Sequence, residues 1–594
     1  MGGYCGKFLR IDLTNGNVKV EDLDMDLAKK FIGGRGLGTY IIKKEVPAEV
    51  DALSPDNKIV IATGPLTGSR APASGRHMVV TKSPLSGTIA SSNSGGFWGA
   101  ELKKAGFDLI ILEGKSAKPC YISIKDDKVE IKDAQKLWGK LVSETTDTLL
   151  KEEAEPKGRV MTIGPAGEKL SLIASIMNDK YRAAGRSGVG AVMGSKNLKA
   201  IFVRGTGKVE IAKAEQFNEV FKDVTAKIKE CDVTSTGLPT YGTAVLVNII
   251  NESGIYPTKN FQKGYFETAD KVSGEALAEH HLVGKTACYG CSIACGRQCR
   301  DGEGPEYETI WAYSADCGID DLEAVIKANN LCNEYGLDTI SAGSTIACAM
   351  ELFEKGFIKA GDIDGPPLEF GSTEAVVEWT RKMGAGEGFG AKLAQGSYRL
   401  AESYGHAELS MTVKKLEIPA YDPRGVQGQG LQFATSNRGG CHVRGYLISP
   451  EILGLPESID RLSIEGKTTW VKAFQDLTAV IDSLGLCLFT SFAIGADDYR
   501  ALFNAIVGED FSTEDIMNAG DRIWNLERVY NLSVGIDPSQ DTLPKRLLSE
   551  PMPAGPTKGH VHRLGEMLGQ YYAERGWSEQ GIPTEEKLAD LQIV

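Results

Sequence analysis

Four short apolar runs in the first two hundred residues predict buried β-strands. They occupy residues 58–62, 108–112, 159–163 and 199–203, and each is bounded by glycine, proline or charged residues. Short runs rich in branched apolar residues and closed by turn residues are typical of strands in a protein core. We therefore expect the first part of the chain to be rich in β-structure.

Two of these runs end in the same way. Gly64-Pro65 follows the first run and Gly164-Pro165 follows the third, and a glycine-rich segment comes later in each case, at 92–99 and 184–190. This repeat suggests a duplicated β half-domain. The alternative is chance similarity between two short pairs of segments.

From about residue 210 the spacing of apolar positions becomes that of helices. Segments 214–224, 321–331 and 521–530 carry apolar residues three or four positions apart, as amphipathic helices do. The stretch 416–425 contains two prolines and predicts a break between two helical regions.

Composition restricts the classes of protein to which the chain could belong. Its 594 residues are 42% hydrophobic and 24% charged, as in a globular protein of several domains. The net charge of −13 argues against non-specific binding to nucleic acid or to an anionic membrane. The start shows no apolar signal core, and the apolar runs are too short to span a bilayer. We expect a soluble, cytoplasmic protein.

Cysteine spacing predicts a metal centre. Twelve cysteines without a secretory signal suggest reduced thiols, some of them ligands, rather than disulfides. Cys288, Cys291 and Cys295 form a C-x2-C-x3-C segment, which supplies three thiolates and needs a fourth from elsewhere. A cubane iron–sulfur cluster suits this pattern better than zinc, because no second C-x2-C pair exists, but structural zinc and unligated core cysteines stay open. Cys299 competes with the distant Cys487 as fourth ligand, and we favour Cys487 because it would tie two domains together.

Glycine and arginine residues in the first region suggest phosphate or heterocycle binding. Segment 33–38 does not fit G-x-G-x-x-G, and segment 188–196 has the wrong spacing for a P-loop, so a nucleotide-binding dehydrogenase or ATPase is disfavoured. Arg76, the segment 93–96 and Arg182 to Arg186 combine exposed amides with guanidinium groups, which bind anions well. Tight turns of a β-domain are the alternative interpretation.

Two hexapeptides resemble each other. Residues 333–338 and 482–487 both have the form x-x-x-Gly-Leu-x, and each predicts a helix that ends at its glycine. Such an end could leave polar side chains and backbone groups directed at a shared centre. Two ordinary helix C-caps are the alternative.

Candidate acid–base residues are few among the seven histidines. His442 lies in the glycine-flanked segment 439–446, which could bring its imidazole close to a cofactor, although a lone histidine is more often structural. Glu306 and Glu308 flank Tyr307; on an extended segment they would share a face, and at a helix start they would be ordinary N-terminal carboxylates. The other histidines are expected to be structural at position 77 and on the surface at positions 280, 281, 406, 560 and 562.

Five longer motifs, at 64–68, 81–87, 188–199, 304–308 and 421–425, carry a resemblance to a known family. With matches from 6–13 to 541–546, the chain resembles the tungsten-dependent aldehyde:ferredoxin oxidoreductases over essentially its whole length. The resemblance implies an α+β fold, with a β-rich base domain at 1–208 and mostly helical domains at 209–415 and 416–594.

The resemblance also implies a set of cofactors. Tungsten would be held by two pterin dithiolenes without a protein ligand, and Mg²⁺ would bridge the pterin phosphates and take backbone carbonyls of Asn93 and Ala183. Positions that match pterin-contacting residues, including those of the two hexapeptides, are Arg76, Gly95, Arg182, Asn333, Gly336, Leu337, Asp338, Arg444, Asp482, Gly485 and Leu486. A [4Fe–4S] cluster would be ligated by Cys288, Cys291, Cys295 and Cys487. Molybdenum stays open as the metal, because its ligands would be the same pterins.

Two departures from the family pattern are visible. Asn333 stands where some members carry Asp, which removes a charge from one pterin contact. Lys327 and Val377 stand where some members hold a mononuclear iron between subunits with Glu and His. We expect no such iron, so an iron-linked homodimer is in doubt, and the chain could instead belong to a hetero-oligomer.

The implied reaction is the oxidation of an aldehyde to a carboxylic acid, with oxygen from water and two electrons passed to ferredoxin. Glu308 is the expected general base, His442 the donor to the developing oxyanion, and Tyr307 a residue that shapes the pocket. The alternatives are the catalytic subunit of a tungsten reductase acting on aromatic acyl-CoA, a subunit of a larger complex that reaches NAD, and a metal-stabilised electron-transfer protein without chemistry of its own.

Overall fold

Two six-stranded sheets form the base of the molecule, and the computed structural model describes residues 1–593. The first sheet contains β1 (Lys7–Asp12), β2 (Asn17–Asp22), β3 (Ile59–Thr63), β4 (His77–Lys82), β5 (Ile89–Ser94) and β6 (Leu109–Glu113). The second contains β7 (Cys120–Lys125), β8 (Lys128–Asp133), β9 (Arg159–Thr162), β10 (Ile176–Asn178), β11 (Arg182–Ala184) and β12 (Leu198–Arg204). All four predicted strands are confirmed, as β3, β6, β9 and β12.

The two sheets have the same connectivity. Their strand orders are β2-β1-β6-β3-β4-β5 and β8-β7-β12-β9-β10-β11. In each, the first strand pairs antiparallel with the second and parallel with the last. Six strands with one connectivity confirm the duplicated β half-domain, since chance similarity of two short segments would not reproduce the whole arrangement.

Six helices belong to the base: α1 (Met25–Phe31), α2 (Gly34–Glu45), α3 (Trp98–Lys104), α4 (Val142–Glu152), α5 (Pro165–Glu168) and α6 (Val189–Ser195). One apolar core includes Ile61 and Ile110 of the first sheet, Ile122 and Ile201 of the second, and Trp98 of α3. The indole N–H of Trp98 donates to the Ile201 carbonyl at 3.1 Å. The two halves of the base therefore pack as one unit.

Seventeen further helices lie after the base within residues 1–593. They are α7 (Ala214–Glu230), α8 (Leu238–Tyr241), α9 (Leu246–Glu252), α10 (Gly274–His280), α11 (Tyr307–Tyr313), α12 (Leu322–Tyr335), α13 (Thr339–Glu354), α14 (Thr373–Ala385), α15 (Gly388–Leu393), α16 (Ser397–Ser403), α17 (Gln427–Thr435), α18 (Lys467–Leu484), α19 (Ala496–Val507), α20 (Thr513–Ser533), α21 (Lys545–Ser549), α22 (Leu564–Glu574) and α23 (Glu585–Asp590). The predicted helices are confirmed in α7, α12 and α20, and the fold is α+β.

Short strands interrupt the helical part. A three-stranded sheet contains β13 (Leu282–Thr286), β14 (Gly296–Cys299) and β15 (Gly302–Glu303), and a hairpin contains β16 (Thr412–Val413) and β17 (Leu416–Glu417). The hairpin coincides with the predicted break near residue 416. Helix α7 packs its apolar face on α19, through Phe217, Val224 and Leu502 among others, so the two helical regions interleave and their boundary at 415/416 stays a prediction.

One expected surface residue is buried. His562 is only 3% exposed, and its Nε2 lies 2.9 Å from the Gln427 carbonyl. The prediction was wrong because polar neighbours in sequence do not reveal that the segment folds back onto α17. No helix among residues 1–593 combines the length and the apolar character needed to cross a membrane.

Candidate active site

The duplicated base holds two helix ends in equivalent ways. Helix α12 ends at Gly336 and α18 at Gly485, both left-handed with φ of 74° and 84°. The Gly164 turn packs on the first end and the Gly64 turn on the second. A Cβ atom at Gly164 would lie 2.2 Å from the Tyr335 carbonyl oxygen, and one at Gly64 would lie 2.1 Å from the Leu484 carbonyl carbon. Both repeated glycines are therefore required by close backbone approach.

Backbone hydrogen bonds fix each of these contacts. The Ser175 N–H donates to the Gly336 carbonyl at 2.9 Å, and the Leu66 N–H donates to the Leu484 carbonyl at 3.1 Å. The hexapeptides are thus helix C-caps, as one interpretation held, and they are also anchored on the two halves of the base.

Asn93 and Ala183 occupy equivalent positions in the two sheets. Asn93 pairs with Met78 across β4 and β5, and Ala183 pairs with Met177 across β10 and β11. The ends of β5 and β10 touch, because the Asn178 amide donates to the Gly95 carbonyl at 2.9 Å. Two carbonyls related by the duplication are compatible with the bridging ion that was predicted, which stays a prediction.

The four predicted cluster cysteines line one small cavity. Cys288, Cys291, Cys295 and Cys487 surround it together with Arg76, whereas Cys299 lies apart in β14 and does not line it. Within residues 1–593, no three His, Cys, Asp or Glu side chains converge closely enough to ligate a single ion. The four thiols instead enclose a space.

Arginine side chains flank these thiols. One Arg76 nitrogen donates to Cys487 Sγ at 3.1 Å and another to Asn93 Oδ1 at 3.1 Å. Burial opposes ionisation of Cys288, but the guanidinium groups of Arg76 and Arg182 outweigh it, so the pKa of that thiol is lowered. Burial raises the pKa of the Cys291 and Cys295 thiols instead, so the arginines favour the thiolate form at Cys288.

A larger cavity of about 370 Å³ adjoins the cysteine cavity. Its walls include both predicted acid–base residues and many of the predicted cofactor positions, namely Arg76, Gly95, Arg182, Ala183, Asn333, Leu337, Asp338, Glu308 and His442. Five residues line both spaces, namely Arg76, Arg182, Cys288, Cys295 and Phe489. A group held here lies directly against the cysteines.

The remaining predicted cofactor residues form a buried network beside this cavity. The Asn93 amide donates to Asp482 Oδ1 at 2.9 Å, and Arg444 donates to the other carboxylate oxygen of Asp482. Gly485 contributes its carbonyl, which accepts from the Arg76 N–H at 3.3 Å, while the Leu486 side chain packs in the apolar core. Gly336 likewise contributes its carbonyl, which accepts from the Ser175 N–H.

Glu308 and His442 lie close together on the wall of the larger cavity. His442 Nε2 lies 3.7 Å from Glu308 Oε1, and the side chains are 16% and 13% exposed. Glu308 Oε2 accepts from the Ala420 N–H at 3.0 Å. Glu308 Oε1 and His442 Nδ1 are buried without a partner, and such atoms are costly unless a ligand satisfies them.

Burial keeps both groups neutral near pH 7. Desolvation raises the pKa of Glu308 to about 8, against the lowering effects of the Ala420 N–H and Arg186. Desolvation also lowers the pKa of His442 to about 3, helped by Arg186, Arg438 and Arg444. A salt bridge is therefore absent from this pair at neutral pH, and the cavity holds an acid and an imidazole that can exchange protons with a bound molecule.

Helix α11 positions the glutamate. Its N-cap is Glu306, so Glu308 lies in the first turn, as the helical alternative for this segment required. The Tyr307 hydroxyl donates to the Ala420 carbonyl at 2.8 Å. The N–H of Ala420 in turn donates to Glu308. Tyr307 thus orients the partner of the glutamate, and its hydroxyl is not free to react.

Aromatic residues complete the walls, and sequence reasoning did not identify them. The Tyr421 and Tyr446 hydroxyls are hydrogen-bonded at 2.8 Å, and both rings lie about 6 Å from His442. Phe489 and Phe492 follow Cys487 in a short 3-10 helix. Tyr421 and Tyr446 lie within segments already singled out, but nothing in the spacing separated them from ordinary core tyrosines.

Two further cavities adjoin the 370 Å³ cavity at Tyr446 and Phe492. One of about 470 Å³ has mostly apolar walls, including Leu238, Val245 and Leu246. The other, of about 200 Å³, lies between the 3-10 helix and α18. The two aromatic side chains line all three spaces, so they lie where the three cavities adjoin.

Comparison with known proteins identifies the family of this chain. The family model described as aldehyde ferredoxin oxidoreductase, N-terminal domain, matches residues 8–205, and that described as aldehyde ferredoxin oxidoreductase, domains 2 and 3, matches residues 219–593. The chain belongs to the aldehyde ferredoxin oxidoreductase family.

Individual relatives of this family agree over the full length. The chain is 57% identical to the tungsten-containing aldehyde ferredoxin oxidoreductase of Pyrococcus furiosus and 56% identical to that of Pyrococcus abyssi, covering 100% of this chain and 99% of each relative. A solved structure, the active-site complex BamBC of benzoyl coenzyme A reductase in complex with 1,5-dienoyl-CoA, is 28% identical with a TM-score of 0.87, covering 100% of this chain and 97% of that one.

Lys327 and Val377 occupy the two positions that match iron ligands of some family members. Lys327 is exposed on α12, and Val377 is half-buried on α14. A lysine ammonium and an isopropyl group offer no ligand to iron. The expectation that this aldehyde ferredoxin oxidoreductase family member lacks an interfacial iron stays a prediction.

Proposed function

We propose that this chain oxidises small, uncharged aldehydes to carboxylic acids with water as the oxygen source, and passes the two electrons to ferredoxin. The observation that supports this most is the neutral Glu308–His442 pair, whose unpartnered atoms share a cavity that adjoins four cysteines. Proton transfer and electron exit are thereby side by side. The tungsten-containing relatives named above are aldehyde ferredoxin oxidoreductases.

The residues present fit the implied cofactors. The two anchored helix ends, with Arg76 and Arg182 beside them, would hold two anionic pterins, and the carbonyls of Asn93 and Ala183 would face a Mg²⁺ ion. The four cysteines would hold a [4Fe–4S] cluster, for which thiols enclosing a space are better placed than thiols converging on one point. Bound in the larger cavity, a tungsten bis-pterin would supply a Lewis acid and a two-electron acceptor.

The roles of the protein side chains follow from their protonation. When Glu308 is ionised, its free Oε1 accepts a proton from water as the water adds to the aldehyde carbon. A carboxylate with a pKa of about 8 is a stronger base than an ordinary one. The neutral His442 ring donates its N–H to the carbonyl oxygen, where negative charge develops. Ala420 holds the other Glu308 oxygen and so keeps Oε1 directed into the cavity.

The walls of the cavities favour apolar substrates. Among the described residues that line the 470 Å³ cavity, Asp232 alone carries a charge. An aliphatic or aromatic aldehyde gains from burial against these walls, whereas an aldehyde bearing phosphate would meet no cation there. The aldehyde is therefore expected to be uncharged.

Replacement of Glu308 by Gln tests the proposal. The amide keeps an acceptor for the Ala420 N–H but cannot take a proton, so aldehyde-dependent viologen reduction should fall about a hundredfold or more. Tungsten and iron content, measured by mass spectrometry of the purified protein, should stay at wild-type levels. Wild-type turnover in a metal-replete variant would refute the assignment.

Reduction of an aromatic acyl-CoA is the second candidate, because the fold matches a benzoyl coenzyme A reductase complex closely. Coenzyme A carries phosphates that need cations or helix N-termini. The described walls of the 470 Å³ cavity carry no cation and so favour the aldehyde instead. If the enzyme oxidises reduced viologen when an aromatic acyl-CoA is added, and does not reduce viologen with aldehydes, the acyl-CoA reductase would be the better assignment.

A further inference from the structure

The loop that covers the cysteine cavity reaches the protein surface. Gly290 and Ser292 are exposed, while Cys288, Cys291 and Cys295 beside them are partly buried and line the cavity. The loop is fixed to the base, since the Ala73 N–H donates to the Gly290 carbonyl at 2.8 Å. A redox group held by these thiols would lie beside the exposed residues of this loop.

Two aromatic residues and two cations surround this loop. The Tyr289 ring lies 6.3 Å edge-on from the Phe97 ring. The Lys104 ammonium lies 5.0 Å above Tyr289, and the Arg159 guanidinium lies 4.5 Å above Phe97. Such cation–π contacts hold long side chains in place. We call Phe97, Lys104, Arg159 and Tyr289 the Tyr289 patch.

The outward charge of the Tyr289 patch is positive. The side chains of Lys104 and Arg159 are 30% and 37% exposed, whereas the nearest carboxylates, Glu101 and Asp179, are only 7% and 11% exposed and lie 3.8 and 3.5 Å away. Lys285 adds an exposed cation on β13, next to a residue that lines the cysteine cavity. In a chain with a net charge of −13, this surface is a local exception.

We propose that the Tyr289 patch is the docking surface for a small acidic iron–sulfur carrier of the ferredoxin type. The inference rests on the proposed function, because it assumes that electrons leave through the cysteines. Oxidation of one aldehyde with one water yields the acid, two protons and two electrons, so two one-electron carriers dock in turn. Positive charge at the exit attracts an acidic carrier and speeds its encounter with this chain.

Charge reversal of the patch tests the proposal. The double variant Lys104→Glu/Arg159→Glu should bind an acidic [4Fe–4S] ferredoxin about tenfold more weakly at low salt. Binding is measured by calorimetry with a redox-inert, gallium-substituted form of that ferredoxin. The KM for native ferredoxin should rise to match, and added salt should narrow the difference from wild type. Aldehyde-dependent viologen reduction, which needs no docked protein, should be unchanged.

A matched control carries the same charge change elsewhere. Lys44 lies 5.7 Å above the Tyr40 ring and Arg563 pairs with Glu566. Both cations are exposed, and neither contacts a residue of the Tyr289 patch in these pairs. Lys44→Glu/Arg563→Glu should leave the ferredoxin affinity at the wild-type value. Equal weakening by both double variants, or no weakening by the patch variant, would overturn the proposal. If wild-type enzyme fails to reduce viologen with every aldehyde tested, the proposed function is refuted. The binding measurement still decides whether the Tyr289 patch is the docking surface.

Discussion

Raising the pH through 8 should switch on turnover, because the proposed general base acts only when it is ionised. Desolvation raises the pKa of Glu308 from 4.5 to about 8, which corresponds to about 5 kcal/mol against the carboxylate inside the cavity. Below pH 8, kcat/KM should therefore rise about tenfold per pH unit, and it should level off above that value. His442 has a pKa of about 3 and stays neutral throughout this range.

The assay is anaerobic, aldehyde-dependent reduction of a viologen dye between pH 6 and 9.5 in overlapping buffers of constant ionic strength. The residual rate of the metal-replete Glu308→Gln variant should show no rise near pH 8, because an amide does not titrate. A flat profile in the wild-type enzyme, or the same rise in both proteins, would refute the assignment of Glu308.

The same pKa fixes the sign of a stability effect. The folded protein binds the Glu308 proton more tightly than the unfolded chain, so the free energy of unfolding falls as pH rises from about 4.5 to about 8. Glu308→Gln should remove this loss. Denaturant unfolding should show similar stabilities for the two proteins at pH 4.5, and the variant should gain on the wild type up to pH 8, by at most about 5 kcal/mol. A constant gap would contradict the raised pKa.

Three further substitutions test the architecture of the site. Phe492→Ala should raise kcat/KM for bulky aromatic aldehydes relative to acetaldehyde by about tenfold, which is about 1.4 kcal/mol in activation free energy, since loss of the ring widens the space where the three cavities adjoin; unchanged selectivity would contradict a role of Phe492 in substrate access. Cys487→Ser should lower the iron content and the visible absorbance of the purified protein, whereas Cys299→Ser should not. Gly164→Ala should lower the melting temperature and the pterin content, because its Cβ would lie 2.2 Å from the Tyr335 carbonyl oxygen; normal pterin content would show that the turn is not needed to hold α12.

The comparison of sequence with structure shows where local pattern suffices. The four predicted strands and the three predicted helices followed from apolar spacing, because burial of one face or one stripe imposes that spacing on the residues themselves. The αL glycines Gly336 and Gly485 followed from local backbone preference. The repeated Gly-Pro turns suggested a duplication, but six equivalent strands were needed to confirm it.

The tertiary structure alone decided what surrounds each chemical group. Sequence identified Glu308, His442 and the four cysteines as candidates, partly through family resemblance, but it could not give the 3.7 Å separation of Glu308 and His442 or their neutral states. Those depend on desolvation by residues far apart in the chain. Tyr446 and Phe492 escaped notice for the same reason, since a core aromatic and a cavity wall have the same local sequence.

His562 shows that local sequence also fails to predict burial. Its polar neighbours predicted an exposed side chain, but the fold buries it. The chain's own pattern therefore determined the predicted strands and helices and the repeated Gly-Pro turns, since each is encoded within a few neighbouring residues, whereas the choice of the reactive side chains also drew on the family resemblance. Packing decided the cavity walls, the protonation states of Glu308 and His442, and the Tyr289 patch of positive charge. Each depends on atoms brought together from distant parts of the sequence.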